Sequence, residues 1–222
     1  YNETISHMCD ELMSDFLPLF IPSPNAKHEV GQHRDCFLVN PEANSSKHLE
    51  MFCFLGKLFG AAIRTQNNLN LILPPLFWKK LCLQELQTID LKDIDENTFQ
   101  AVEMIRNPSA SNLKESDVEA MIEDLNFTTR NSAGVSVELL QSGAYQKVTP
   151  ENMKQYADLI SEYRLHENDE AYLRIRQGMS LVIPLDFLNM FSWNHVESLV
   201  CGAPVIDIGR LKSNTQYEGY NE

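Results

Sequence analysis

Apolar residues at Met51, Phe54, Leu55, Leu58, Phe59 and Ala62 recur at i, i+3, i+4, i+7, i+8 and i+11, which is one broad stripe on an α-helix. Phe52, Cys53 and Ile63 widen that stripe, so most of the circumference must be covered by protein. The stretch 51–73 is therefore expected to hold a central core helix, turned at Asn67-Asn68 and followed by a short apolar link. Gly56 and Gly60 stand one turn apart. They lower helix propensity but let a second backbone come close. Lys57 and Arg64 interrupt the apolar run, which is shorter than the roughly 20 residues of a bilayer span.

The flanking patterns predict further helices. Ile5, Met8, Cys9, Leu12, Met13 and Phe16 share one face of a helix over 3–16 that Pro18 ends. LPLFIPSPN reads as an extended connector, and the apolar run 36–39 as a strand against the core. Pro74-Pro75 opens a helix carrying Phe77, Trp78 and Leu81. From Gln84 the chain turns acidic, which marks a subdomain border before a helix with Phe99, Val102, Met104 and Ile105. Ser116 and Glu119 have capping-box spacing. Segments 125–129 and 135–140, joined by a turn ending in Gly134, read as a β-hairpin. Thr149-Pro150 opens a helix with Met153, Tyr156, Ile160 and Tyr163 on one face, and Asn168 caps another. Short helices are expected at 184–190 and 194–201, the second ended by Gly202, then a strand at 205–208 and a polar tail.

Composition narrows the class. The 222 residues are 43% hydrophobic, enough for a sizeable core. Five cysteines, odd in number and widely spaced, argue against a disulfide framework and for the cytosol or nucleus. No signal peptide or membrane span is expected, and Tyr1, not a natural start, marks the chain as a piece of a longer protein. A net charge of −13 disfavours nucleic acid as a partner. It fits a neutral or basic protein surface, and equally a solvated acidic exterior.

Candidate chemistry is sparse. Phosphate loops, zinc-protease, nucleophile-elbow and calcium-loop signatures are all absent. His28, His33 and Cys36 lack a fourth ligand and paired-cysteine spacing, so neither metal nor cofactor is expected. His195 and Cys201 form the nearest base–nucleophile pair, but without a third orienting residue Cys201 reads as a packed thiol. Val102, Leu125, Tyr156 and Ile160 are more apolar surface than a short helix and hairpin usually bury. Either they share a core with the large body or they line a groove for a partner.

Five segments in order, FLGKLFGAAI, LILPPLFWKKL, ELLQSGAYQKVTPENMKQYADLISEYRL, IRQGMSLVIP and SLVCGAPVIDIGRLKSNTQYEGY, resemble the amino-terminal lobe of a HECT-type ubiquitin ligase. LPLFIPSPN and HRDCFLVNP resemble the HERC subgroup. The resemblance implies an α+β, mainly α-helical, bilobed fold. A large subdomain would comprise 1–84 and about 141–222, and a small one that binds an E2 ubiquitin-conjugating enzyme would lie within about 85–165. The family's E2 groove falls on Thr98, Ala101, Val102, Glu123, Leu125, Tyr156 and Ile160. Thr98 and Glu123 stand where leucine and methionine are familiar, which implies a more polar groove. A second, non-covalent ubiquitin site falls on Met51 and Phe52, with Met51 replacing a tyrosine. The resemblance further implies that the catalytic cysteine lies in a carboxy-terminal lobe, that none of the five cysteines here is that residue, and that substrates are chosen by other domains. The alternative is a non-catalytic helical scaffold for protein interactions.

Overall fold

The computed structural model describes residues 2–14, 16–108, 115–202 and 208–215. The chain begins with α1 (Asn2–Leu12), β1 (Phe20–Pro22), α2 (Pro24–His28) and β2 (Phe37–Val39). The central α3 (Ser46–Thr65) and α4 (Pro75–Leu81) follow, then a 3-10 helix over Thr88–Asp93. Next come α5 (Glu96–Arg106), α6 (Glu115–Ile122), and the strands β3 (Thr128–Arg130) and β4 (Ser136–Glu138). After a 3-10 turn at Gly143–Tyr145 the chain runs through α7 (Met153–His166), α8 (Asp169–Ser180), a 3-10 helix over Leu185–Met190, α9 (Trp193–Cys201) and α10 (Ile208–Ser213). Both sheets are two-stranded and antiparallel, with β1 on β2 and β3 on β4. The fold is mainly helical α+β. Among the described residues, no helix is long and apolar enough to cross a membrane.

The large core forms where α3 crosses α8. A Cβ on Gly56 would meet the Ile175 carbonyl oxygen at 1.9 Å, and one on Gly178 would meet that of Cys53 at 1.9 Å. The two backbones touch there, and only glycine permits it. Gly60 leaves room for Val182, whose Cβ would lie 2.7 Å from an added methyl. Around this crossing Phe52, Phe59, Phe77 and Trp78 are fully buried, with Phe59 stacked on Trp78 at 5.8 Å and Phe77 edge-on to it at 5.2 Å. The buried stripe of α3 is Phe52, Leu55, Phe59 and Ala62. Phe54, expected on it, is 57% exposed. The stripe is turned because α8 takes the glycine side of the helix.

Side chains that bond to nearby backbone explain most departures from the expected elements. Helix α1 ends at Leu12 rather than near Pro18, because Ser14 Oγ donates to the Glu11 carbonyl and accepts from Phe16 N. Within LPLFIPSPN, the expected connector, Phe20–Pro22 pairs with β2 and Ser23 caps α2 by accepting from Ala26 N at 3.0 Å. Helix α7 opens at Met153 instead of Pro150, since Asn152 Oδ1 accepts from Thr149 N at 2.8 Å and closes a turn first. Asn168 holds the N-cap position of α8, yet its amide donates to Val39 O at 3.0 Å. Helix α6 begins at Glu115, one residue before the expected cap. The strand expected at 205–208 lies outside the described residues as far as 207; its last residue, Ile208, instead opens α10, which runs into what read as a polar tail.

A second apolar cluster gathers Val102, Ile105, Ile122, Phe127, Val148, Tyr156, Ala157 and Ile160 from α5, α6, the hairpin region and α7. A small third cluster, Leu38, Leu76, Leu91, Ile94 and Leu165, lies between it and the large core. The joint is completed by polar groups. Arg164, at the end of α7, donates through Nη1 to Asp95 Oδ2 at 2.8 Å and through Nη2 to Ser132 Oγ at 3.1 Å. Its Nε faces Glu167 Oε2 at 3.5 Å, too far for a good hydrogen bond. The Glu167 carboxylate accepts from the backbone N and the hydroxyl of Ser132. Asp95 also caps α5 by accepting from Thr98 N at 3.0 Å. The hairpin turn reaches the amino-terminal region as well, for Lys27 Nζ donates to Ser132 O and Asn131 Nδ2 to Glu42 Oε1.

Two outcomes test this architecture. At an uncrowded helix position, glycine to alanine stabilises by roughly 0.5–1 kcal/mol. Gly178→Ala should instead destabilise by about 3 kcal/mol or more, because two backbones must separate; a urea midpoint at or above wild type would contradict the close crossing. Arg164→Met should cost about 3–5 kcal/mol by stranding two buried carboxylates. Burial already raises the Glu167 carboxyl above its ordinary value, and Arg164 opposes that rise. A raised folded-state value favours the protonated native form, so that contribution is present below the unfolded value and lost as pH rises. The deficit of Arg164→Met is therefore smaller at pH 5 than at pH 8, a difference that paired denaturation curves at the two pH values would measure.

Candidate functional site

The seven groove residues fall around the second cluster, in three layers. Val102, Tyr156 and Ile160 are its interior, at 0%, 5% and 6% exposure. Phe127 meets Tyr156 edge-on at 5.6 Å, and the Tyr156 hydroxyl donates to Thr128 O at 3.0 Å, so this phenol is satisfied inside the protein. Burial pushes it above the usual tyrosine range. Leu125 is half-buried against the same cluster, and its carbonyl accepts from Val148 N. Ala101 and Glu123 are exposed. Thr98 lies one turn before Val102 on α5 and belongs to the joint, its hydroxyl donating to Asp95 Oδ2 at 2.8 Å.

The arrangement is an apolar floor with an open acidic rim. Glu123 and Asp124 are exposed at the end of α6, beside Met121 at 37% exposure. Lys147 Nζ donates to Glu123 O and ties this end to the segment after the hairpin. Arg106 bridges α5 and α7, bonding Glu103 at 2.6 Å and Asp158 at 2.8 Å. Residues 85–165 contain 15 acidic and 7 basic side chains, so this third of the chain has more than half of the net charge of −13. Such a surface attracts cationic groups at a distance, and its accessible apolar atoms are those of Ala101 and the half-buried Leu125.

The residues that hold this site were not all visible in advance. Asp95 immediately before a periodic run carried an N-cap signal. Arg164, Ser132 and Glu167 carried none, since each is an ordinary polar residue until the chain is folded.

Met51 and Phe52 separate. Phe52 is fully buried and edge-on to Phe20 at 6.3 Å, so it belongs to the core and not to a ubiquitin-facing surface. Met51 is half-buried beside an apolar cavity of about 290 Å³ shared with Met8, Leu12, Leu17, Phe54 and Leu58. All five cysteines are free thiols. Burial pushes Cys201 up to about 12, the opposite of an activated thiolate. His195 Nδ1 contacts Ser192 Oγ at 2.7 Å. Neither observation points to nucleophile chemistry at this pair.

The family model described as HECT-domain (ubiquitin-transferase) matches residues 6–222. The chain is 37% identical over 219 residues to the E3 ubiquitin-protein ligase HERC2 of mouse and of human, covering 99% of this chain and 4% of each relative. It is 30% identical over 232 residues to the human probable E3 ubiquitin-protein ligase HECTD4, covering 95% of this chain and 6% of that protein. RSP5 of Emericella nidulans, an E3 ubiquitin-protein ligase, is 30% identical over 218 residues, with 96% of this chain and 24% of that protein aligned. The chain thus spans a minor part of each relative's length. A family match over residues 6–222, with relatives at 30–37% identity across nearly the whole chain, shows that it belongs to the HECT-domain family.

Proposed function

We propose that this chain is the lobe of a ubiquitin ligase that recruits a ubiquitin-charged E2 enzyme. The small cluster is the docking arm, contained within residues 85–165, and the large core is the body that carries it. An E2 loop seats against Ala101, Leu125 and Glu123, over a floor made by Val102, Tyr156 and Ile160. The observation that supports this reading is the open rim over a closed, fully packed floor in the acidic part of the chain.

The bond-making step belongs to a cysteine in a carboxy-terminal lobe. Its thiolate attacks the E2–ubiquitin thioester carbonyl, the E2 thiolate leaves, and a new thioester forms. The five cysteines described here take no part. A docking surface with a partly polar rim falls at the low end of interface size, about 1,200 Å² or less, with affinity on the order of micromolar. A weak ubiquitin contact on the large core would use Met51 and the exposed Phe54, Phe52 being interior. Substrate choice lies in other domains, and the compartment is the cytosol or nucleus, where free thiols persist.

Val102 and Ile160 are unsuitable for charge substitution, because losing the floor would unfold the arm. Ala101→Asp leaves the floor intact. Titrating a panel of E2 enzymes into the labelled chain should shift amides around residues 101–102 and 123–125 for at least one member. Ala101→Asp should then weaken that E2 about tenfold, which is 1.4 kcal/mol, with an unchanged melting temperature. Association should also slow as salt rises. A panel in which no E2 moves these amides would overturn the reading in favour of a non-catalytic scaffold.

A further inference from the structure

A cavity of about 830 Å³ opens where the chain crosses between the large core and the small cluster. One wall is the segment after α4, with Leu83 and Leu86, and the other is the start of α8, with Tyr172 and Leu173. Leu83 and Leu173 are 67% and 64% exposed, on opposite sides of the mouth. Leu83 is held there by its backbone. Its φ is +53°, and α4 ends in a Schellman turn in which Gln84 N donates to Lys79 O and Leu83 N to Lys80 O. Glycine is the usual residue at that left-handed position, so here a large apolar side chain is displayed where none is needed for the turn.

The charges around the mouth are sorted. Lys80 turns inward, 2.6 Å from Asp169 Oδ1, 2.6 Å from Leu165 O and 4.6 Å above the Tyr172 ring. Arg176 also turns inward and donates to the Leu81 carbonyl. The outward carboxylates are Glu85 and Glu170, and the exposed His166 on the same wall is taken up by Asp169 Oδ2 at 2.8 Å. Glu85 is exposed with no ion pair among the described residues, and Glu170 is 60% exposed with Arg174 only at 3.7 Å.

We propose that this cavity is a docking groove for a basic amphipathic helix, with a leucine-sized side chain inserted between Leu83 and Leu173 and lysine or arginine residues facing Glu85 and Glu170. Helix-in-groove recognition needs this combination of an apolar slot and a charged edge. The net charge of −13 favours a cationic partner over an acidic one at long range. The site is separate from the E2 rim at Ala101, Glu123 and Leu125, and does not depend on E2 docking. Because its two walls are the two crossings between core and arm, a bound helix would brace the arm against the body.

The probe is a fluorescein-labelled helical peptide of about 14 residues, with leucines at i, i+3, i+4 and i+7 and lysines elsewhere. Polarisation should show saturable one-to-one binding to the 222-residue chain. Leu83→Gly suits the left-handed turn and keeps the fold, yet should weaken binding about tenfold, as should Leu173→Asp. Glu85→Lys with Glu170→Lys should weaken it further, and a peptide with glutamate in place of lysine should not bind. Met190→Asp, at another exposed apolar residue, should have no effect. Equal loss with Met190→Asp would mean adsorption to any apolar surface and would overturn the proposal. So would undiminished binding to Leu83→Gly or binding of the acidic peptide.

Discussion

Helices α3 and α8 approach so closely that neither Gly56 nor Gly178 can carry a side chain: each Cβ would fall 1.9 Å from a carbonyl oxygen of the other helix. This contact sets the distance between the two longest-packed elements of the core. Everything layered around them inherits it. Phe52, Phe59, Phe77 and Trp78 make edge-on and stacked contacts with one another and with Phe20. Because α8 begins three residues after α7 ends, the same contact also fixes where the small cluster is attached.

That attachment is made differently from the core. The large core is held by area, which is non-directional. The small cluster has eight buried residues and a few partly buried neighbours, too little to define by itself how it sits on the body. Orientation comes from directional bonds: Arg164 to Asp95 and Ser132, Ser132 to Glu167, Asn131 to Glu42, and Asn25 to Lys92 O and Glu96 N. Each has a narrow range of distance and angle. Burying these charges costs free energy that hydrophobic groups of the same shape would not. What the polar joint provides in exchange is a single docking angle.

Much of this was legible in the chain. The central helix over 51–65, the two close glycines, the proline-opened α4 and the turn at Gly134 all correspond to local physics and are present, though the helix starts earlier, at Ser46, and its buried face is turned. The small cluster was legible as a set: Val102, Leu125, Tyr156 and Ile160 do gather. Its depth was not. Periodicity counts faces, and it could not say that Val102 and Ile160 would be sealed while Ala101 beside them stays open, because that depends on how α5 and α7 rotate against each other. Phe54 left the stripe for the same reason, while Phe52, read as widening it, is fully buried. A stripe three residues wide tolerates a rotation of one residue, and only the position of α8 decides it. Ser14 ended α1 and Asn152 delayed α7 through side-chain bonds to backbone that sequence spacing does not rank, whereas Asn168 holds its expected position at the start of α8 with its amide turned to Val39 O. Arg164 and Glu167 have no local signal, since their partners lie 69 and 35 residues away along the chain.

The division between core and arm has a consequence for how such a lobe can work. A transfer between two thioesters needs its donor held in a defined place, and a positional error near 1 Å at the reacting atoms can cost about a hundredfold in rate. If the rim receives an E2 as proposed, a change of angle at the joint would be carried to the bound partner. An apolar joint would slide, because packed side chains admit many near-equivalent registers. The bonds of Arg164, Asp95, Ser132 and Glu167 beside the small apolar cluster admit few, because shifting one strands a buried charge. The angle of the arm therefore rests on Arg164, Asp95, Ser132 and Glu167 together with the Asn131–Glu42 and Asn25 bonds, and the apolar contacts of Leu91, Ile94 and Leu165 fill the space between them.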